Sequence, residues 1–193
     1  MTNLRHYPKK DTIVFCRSRD PFGELQNMTS GYPIEIRSHG VTAPTSEHLY
    51  QALKFPHFPV IQEAILDARN GYAAKLVANE HMASETVWPE FFPHRVKIMG
   101  FCIGMKTLQH LDHFKPLLLG TGDKPLVEYS KKDSFWGAEP VGDEFIGTNA
   151  LGRLWMEIRD DLRHGRHLTV WKRIEPVELR LLGKVIDLTI NAN

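Results

Sequence analysis

The chain is poor in cysteine, nearly free of net charge, and without a long apolar run. Only Cys16 and Cys102 occur in 193 residues, too far apart in sequence to read as a metal-ligand pair. Two thiols supply no disulfide framework, so both read as small buried hydrophobes in a reducing setting. Formal net charge is +1 at pH 7, which removes the broad electrostatic footprint of a polyanion binder. A small anionic ligand needs only a few local donors and stays compatible with that balance. No run of ~18 apolar residues exists, so no ordinary membrane-spanning helix and no membrane partner are expected. The polar stretch from Met1 to Lys10 lacks the apolar segment of a signal peptide, and a cytoplasmic location is the expectation.

The common catalytic signatures are also missing. There is no GxSxG elbow, no HExxH, no GxGxxG and no GxxxxGK[ST]. His110 and His113 lie three apart with no obvious third ligand, so neither a metal nor a cofactor is expected. Gly120-Thr121-Gly122-Asp123 is glycine-rich but reads as a plain turn.

What is present suits one globular domain. Hydrophobic residues make up 42% and charged residues 24%. Thr12 to Cys16 reads as a strand, and Tyr32 to Val41 as a hairpin turning at Ser38-His39-Gly40. Helical spacing follows from Thr45 to Phe55, stopping at Pro56, then from Val60 to Arg69 and from Tyr72 to Asn79. Arg95 to His110 is apolar nearly all round, as in a buried central helix. Leu117 to Leu119 closes a short helix, and Leu126 to Tyr129 is a short strand. Lys131 to Thr148 reads as a long irregular stretch, a length that usually carries function. Asn149 is placed to cap a last helix with a core face of Leu151, Leu154, Trp155, Ile158 and Leu162. Two apolar runs around Gly183-Lys184 in the segment 177–190 read as a hairpin. The expected fold is α+β: a mostly α-helical single domain, residues 12–163, with a small set of short strands. Residues 164–193 form a C-terminal extension packed on it.

Two segments hold chemistry. On the helix from Thr45, Glu47, Gln51 and Lys54 fall on one stripe, bordered by Tyr50, with Leu49, Ala52 and Leu53 opposite. That stripe is either a solvated polar face or an acid, an amide and an amine gathered at a site. The loop Asp133-Ser134-Phe135-Trp136-Gly137 is either pinned by two core aromatics or built to stack a base and hold a sugar hydroxyl.

Taken together, three segments resemble a known family. They are Thr45-Ser46-Glu47-His48-Leu49-Tyr50-Gln51-Ala52-Leu53-Lys54-Phe55, then Thr121-Gly122-Asp123 leading into Leu126 to Ser130. The third runs from Asp133-Ser134-Phe135-Trp136-Gly137 through Gly147-Thr148-Asn149-Ala150-Leu151-Gly152-Arg153. Their order and spacing resemble the NADAR family, the YbiA-like N-glycosidases, over roughly residues 12 to 163. The resemblance implies hydrolysis of an N-glycosidic bond at ribose without a cofactor. The substrate is then ADP-ribose on guanine, in a nucleotide or in ADP-ribosylated nucleic acid, or a ribosylamino-pyrimidine phosphate of riboflavin synthesis. It implies Glu47, Lys54 and Asp133 as catalytic groups. It implies substrate contacts from Arg17, Ser18, Phe22, Asn27, Tyr50, Gln51, Trp88, Trp136, Gly137 and Asn149. Departures are Gln26 where the family often has Ser, Val87 where an Asp often precedes the tryptophan, and Trp155 for a common Leu. The competing class is a non-catalytic module that binds ADP-ribose or an NAD-related ligand and returns it intact.

Overall fold

The structure is a computed structural model that describes residues 4–82, 86–166 and 178–187. In chain order the first strands are β1 (Arg5–Pro8), β2 (Ile13–Phe15), β3 (Ile34–Ile36) and β4 (Val41–Ala43). Helices α1 (Ser46–Ala52), α2 (Pro59–Leu66), α3 (Gly71–Glu80), α4 (Phe91–Gln109) and α5 (Leu111–Gly120) follow. Then come β5 (Leu126–Glu128), β6 (Glu139–Val141), β7 (Glu144–Gly147), α6 (Ala150–Arg163), β8 (Arg180–Leu181) and β9 (Lys184–Val185). Helices dominate, as expected, but the strands are more numerous than a small set. They also make four separate small sheets. The chain divides into two compact units, one holding the N-terminal residues to Gln26 with those from Asp112 through α6, the other Asn27–Leu111 with the C-terminal residues.

In the first unit, β1, β7 and β6 form an antiparallel sheet in the order β1-β7-β6. The long irregular stretch expected over 131–148 is corrected here, since β6 and β7 make a hairpin around Gly142-Asp143. Gly142 takes φ 53, which a side chain rarely adopts. Pro140 lies in β6, an edge strand, where its missing N–H costs no ladder bond. Phe145 buries against Tyr7, Val127 and Ala138. Strands β2 and β5 pair in parallel, and α6 lies along β5. Gly152 makes that approach possible, because a Cβ there would run into the Leu126 carbonyl and the Asn149 side chain. Trp155 stacks on Phe114 at 5.6 Å and donates its indole N–H to the Leu25 carbonyl at 2.8 Å. Gly120 ends α5 and Thr121 to Asp123 form a turn after it, where the sequence reads a plain turn over Gly120 to Asp123. Arg159 donates to Thr121 Oγ1, and Arg163 to Asp123 Oδ1 and the Gly122 carbonyl.

In the second unit, β3 and β4 form the expected hairpin, closing through Gly40 at φ 64. Helix α1 is enclosed by α2, α3 and α4. Helix α4 is buried without interruption from Ile98 to Thr107. Each fully buried large apolar side chain there contributes about 1.5–3 kcal/mol. The residues after the last helix carry a short hairpin, β8–β9, turning through Leu182 at φ 48 and Gly183 at φ 79. Gln62 of α2 grips it: its Nε2 donates to the Arg180 carbonyl at 3.0 Å, and its Oε1 accepts from Leu182 N–H at 2.6 Å. The outer parts of the expected 177–190 hairpin lie outside the described residues. Among the described residues, no helix is long and apolar enough to cross a membrane. Cys102 is buried as expected, whereas Cys16 is half-exposed at the end of its strand.

Candidate active site

Helix α1 carries the acid, and its local sequence explains its start. Thr45 is the N-cap: its Oγ1 accepts from His48 N–H at 3.4 Å and bonds His48 Nδ1 at 2.8 Å. The other ring nitrogen of His48 lies 2.9 Å from the Ala68 carbonyl, an acceptor only, so Nε2 bears the hydrogen. Burial lowers the His48 pKa, and the neutral ring pins α1 to the end of α2. Glu47 N–H donates to the Asn27 carbonyl at 3.1 Å.

The helix was expected to run to Phe55. It ends at Ala52, because the chain tightens: Lys54 N–H bonds the Gln51 carbonyl at 3.2 Å and Phe55 N–H that of Ala52 at 3.0 Å. Lys54 therefore stands on the turn after the helix. Trp88 N–H donates to the Lys54 carbonyl at 2.8 Å, which fixes that turn from a second side.

The stripe is no solvated face. Every residue of α1 is buried. Glu47 is 5% exposed, Gln51 2% and Lys54 8%. Gln51 Nε2 donates to Glu47 Oε1 at 2.6 Å. Desolvation raises the Glu47 pKa, with the Gln51 hydrogen bond and the charges of Lys75 and Lys54 pulling the other way. Lys54 Nζ sits 5.5 Å from the Phe91 ring centroid, 5.8 Å from that of Tyr50, and 3.9 Å from Met82 Sδ. Tyr50 itself packs on Phe91 at 5.1 Å. Among the described residues, Lys54 forms no ion pair with Glu47 or any other carboxylate. Burial pushes its pKa down to about 8, Lys75 adds to the fall, and Glu47 opposes it. Burial thus drives the acid toward its protonated form and the lysine toward its neutral amine. Three polar atoms around Glu47, namely Asn27 Oδ1, Ser46 Oγ and Gln51 Oε1, are buried without a hydrogen-bond partner. The second unit thus brings together Glu47, Tyr50, Gln51, Lys54 and the neighbours Asn27 and Trp88.

The remaining expected residues lie in the first unit. Asp133 Oδ1 accepts from Phe135 N–H at 3.1 Å and Trp136 N–H at 3.0 Å, so this oxygen shapes the loop. Phe135 and Trp136 meet edge to face at 5.1 Å, both half-buried rather than core residues. A Cβ on Gly137 would strike the Glu128 carbonyl, which explains the glycine. Asn149 occupies the N-cap position of α6 but does not cap with its side chain, a correction to the expected role. It adopts φ 49, and its Nδ2 donates to the Leu126 carbonyl at 2.8 Å while its Oδ1 accepts from Glu128 N–H at 3.1 Å. Both amide atoms are thus committed to β5 and the residue is fully buried. Arg17 and Ser18 are exposed on a turn where Asp20 Oδ2 accepts from Arg17 N–H at 3.2 Å. Phe22 holds φ 60, a strained conformation for an aromatic residue.

Sequence reasoning missed Lys75, Met82 and Phe91 beside Lys54. Lys75 is one helix away, and no spacing within α1 signals it. Among the described residues, no three His, Cys, Asp or Glu side chains gather as a metal site.

The second unit thus presents a buried acid hydrogen-bonded to an amide, with a lysine of lowered pKa nearby, in a protein of mixed α and β structure where helices dominate. The NADAR domain model matches residues 14–163, and the chain belongs to the NADAR family. It is 31% identical to the N-glycosidase YbiA of Escherichia coli over 159 residues, covering 82% of this chain and 93% of that one. The N-glycosidase Npun_R5314 of Nostoc punctiforme is 33% identical over 164 residues, covering 82% and 97%. The riboflavin biosynthesis protein VVA0006 of Vibrio vulnificus is 36% identical over 164 residues. That match takes in 83% of this chain but only 41% of the Vibrio protein. The NMR structure of Escherichia coli YbiA superposes with a TM-score of 0.67 at 31% identity, covering 80% of this chain and 87% of that one.

Proposed function

We propose that this protein hydrolyses the N-glycosidic bond between C1 of a ribose and the nitrogen of a base. The observation that carries this reading is the desolvated Glu47 beside Lys54, whose pKa is brought down to about 8. The names of YbiA and Npun_R5314 as N-glycosidases support it. The electron pair of the C1–N bond leaves with nitrogen, which takes a proton from Glu47. Water adds to C1 and gives its proton to the resulting Glu47 carboxylate, so the acid is restored. Lys54 has two candidate roles. As a cation it holds a phosphate or hydroxyl. As a free amine it attacks C1 of a ring-opened ribosylamine, expels the base, and forms a Schiff base that water then hydrolyses.

Two substrate classes fit, a ribosylamino-pyrimidine phosphate and ADP-ribose on guanine, the latter also within nucleic acid. The riboflavin biosynthesis naming of the Vibrio relative favours the first. Mass spectrometry of the products tests the reading, with each substrate incubated with wild type, Glu47→Gln and Lys54→Met. Free base from wild type alone is expected. Intact substrate throughout, together with tight ADP-ribose binding, makes the protein a binding module. A borohydride-trapped adduct on Lys54 identifies the Schiff-base route, and its absence during turnover removes it.

A further inference from the structure

A third charged group belongs to the Glu47–Lys54 cluster. On α3 the fully packed positions are Gly71, Ala74 and Ala78, and the helix packs on α1 and α2. Spacing of about 100° per residue puts Lys75 on the flank of that packed stripe. Its side chain is exposed, and among the described residues its ammonium has no hydrogen-bond or ion-pair partner. Its charge nevertheless reaches both Glu47 and Lys54. The cluster therefore holds two amines and one carboxyl. Two amines against one carboxyl give the cluster an excess of positive over negative groups, and Lys75 is its exposed member. Such a site calls for an anion at its rim, and the ammonium with no other partner is the group to hold it.

From the ribosyl-bond reading above and this cluster of groups, we infer that Lys75 anchors a phosphate of the substrate, placing the sugar between itself and the buried Glu47 and Lys54. A lysine rather than an arginine suits the task, because a compact point charge follows a phosphate without demanding bidentate geometry. The role is one of binding and specificity; no bond is made or broken at Lys75.

Calorimetric titration of the full chain with ribose 5-phosphate and with ribose tests this without any turnover. Wild type should bind the phosphorylated sugar more tightly. Lys75→Gln should lose about tenfold in affinity for ribose 5-phosphate, with binding of ribose unchanged. Lys75→Arg should keep most of the preference. Equal ribose 5-phosphate affinity in wild type and Lys75→Gln overturns the assignment. Loss of both ligands together in Lys75→Gln overturns it too, since that reports a general disturbance of the site. A Lys75-dependent preference that persists while no substrate releases base supports the anchor and removes the hydrolase reading.

Discussion

At the scale of single residues, Lys54 is the most exposed to test because its two roles depend on pH with opposite sign. Its pKa lies at about 8. If the neutral amine attacks C1, kcat/KM rises as pH climbs through about 8 and then levels. If the ammonium only binds, kcat/KM falls as pH rises through the same value. A pH–rate profile therefore separates the roles. The same residue bears on stability. The unfolded chain holds a lysine proton up to about 10.5, whereas the folded chain gives it up near 8. Between those values the unfolded state binds more protons, so stability rises with pH across the window, and below it the buried charge costs on the order of 3 kcal/mol. Lys54→Met, an apolar residue among Tyr50, Phe91 and Met82, is expected to stabilise the fold by up to that amount at pH 7. The gain should vanish by about pH 10.5. Urea unfolding at the two pH values checks it, and a less stable variant at pH 7 contradicts it.

At the scale of elements, the contact of α6 with β5 rests on two small features. Asn149 supplies both a donor and an acceptor to the strand. Asn149→Ala leaves a buried carbonyl and a buried N–H unpaired and should cost about 2–4 kcal/mol. Gly152→Ala forces a methyl against the Leu126 carbonyl and should cost about 1–3 kcal/mol, both read from denaturant midpoints at unchanged m-value. Elements with strong periodicity, α4 above all, were legible in the sequence, as was the β3–β4 hairpin. The β6–β7 hairpin and β1 were not, because strands of three or four residues with Pro8 and Pro140 among them carry little alternation. The acid and the lysine were legible from spacing and from the family resemblance. Their burial was not, because an amphipathic pattern cannot show that a polar stripe is covered by α3 and α4 rather than by water. Lys75 was invisible for the same reason: it enters through packing between helices.

At the scale of the molecule, the C-terminal residues belong to the unit that holds Glu47 and Lys54, although the family match ends at residue 163. One side chain makes this connection concrete. Gln62 Nε2 donates both to the Arg180 carbonyl of the hairpin and to the Ala52 carbonyl at 3.1 Å, where α1 gives way to the turn bearing Lys54. Its Oε1 accepts from Leu182 N–H. Leu181 is fully buried and Leu179 and Ile186 nearly so, so an apolar contact also holds the hairpin. Gln62→Leu keeps the volume and removes all three hydrogen bonds. The orphaned carbonyls and N–H should cost roughly 2–4 kcal/mol. The Leu182 amide should then exchange faster than its neighbours, because its bond alone is lost while the apolar contact remains. The turn after Ala52 loses a tether, so kcat should fall with KM little changed. Hydrogen exchange and steady-state kinetics on the one variant read both ends of the connection. Faster exchange at Leu182 with normal kcat would show that the hairpin is anchored to α2 alone and that the Lys54 turn is held without it.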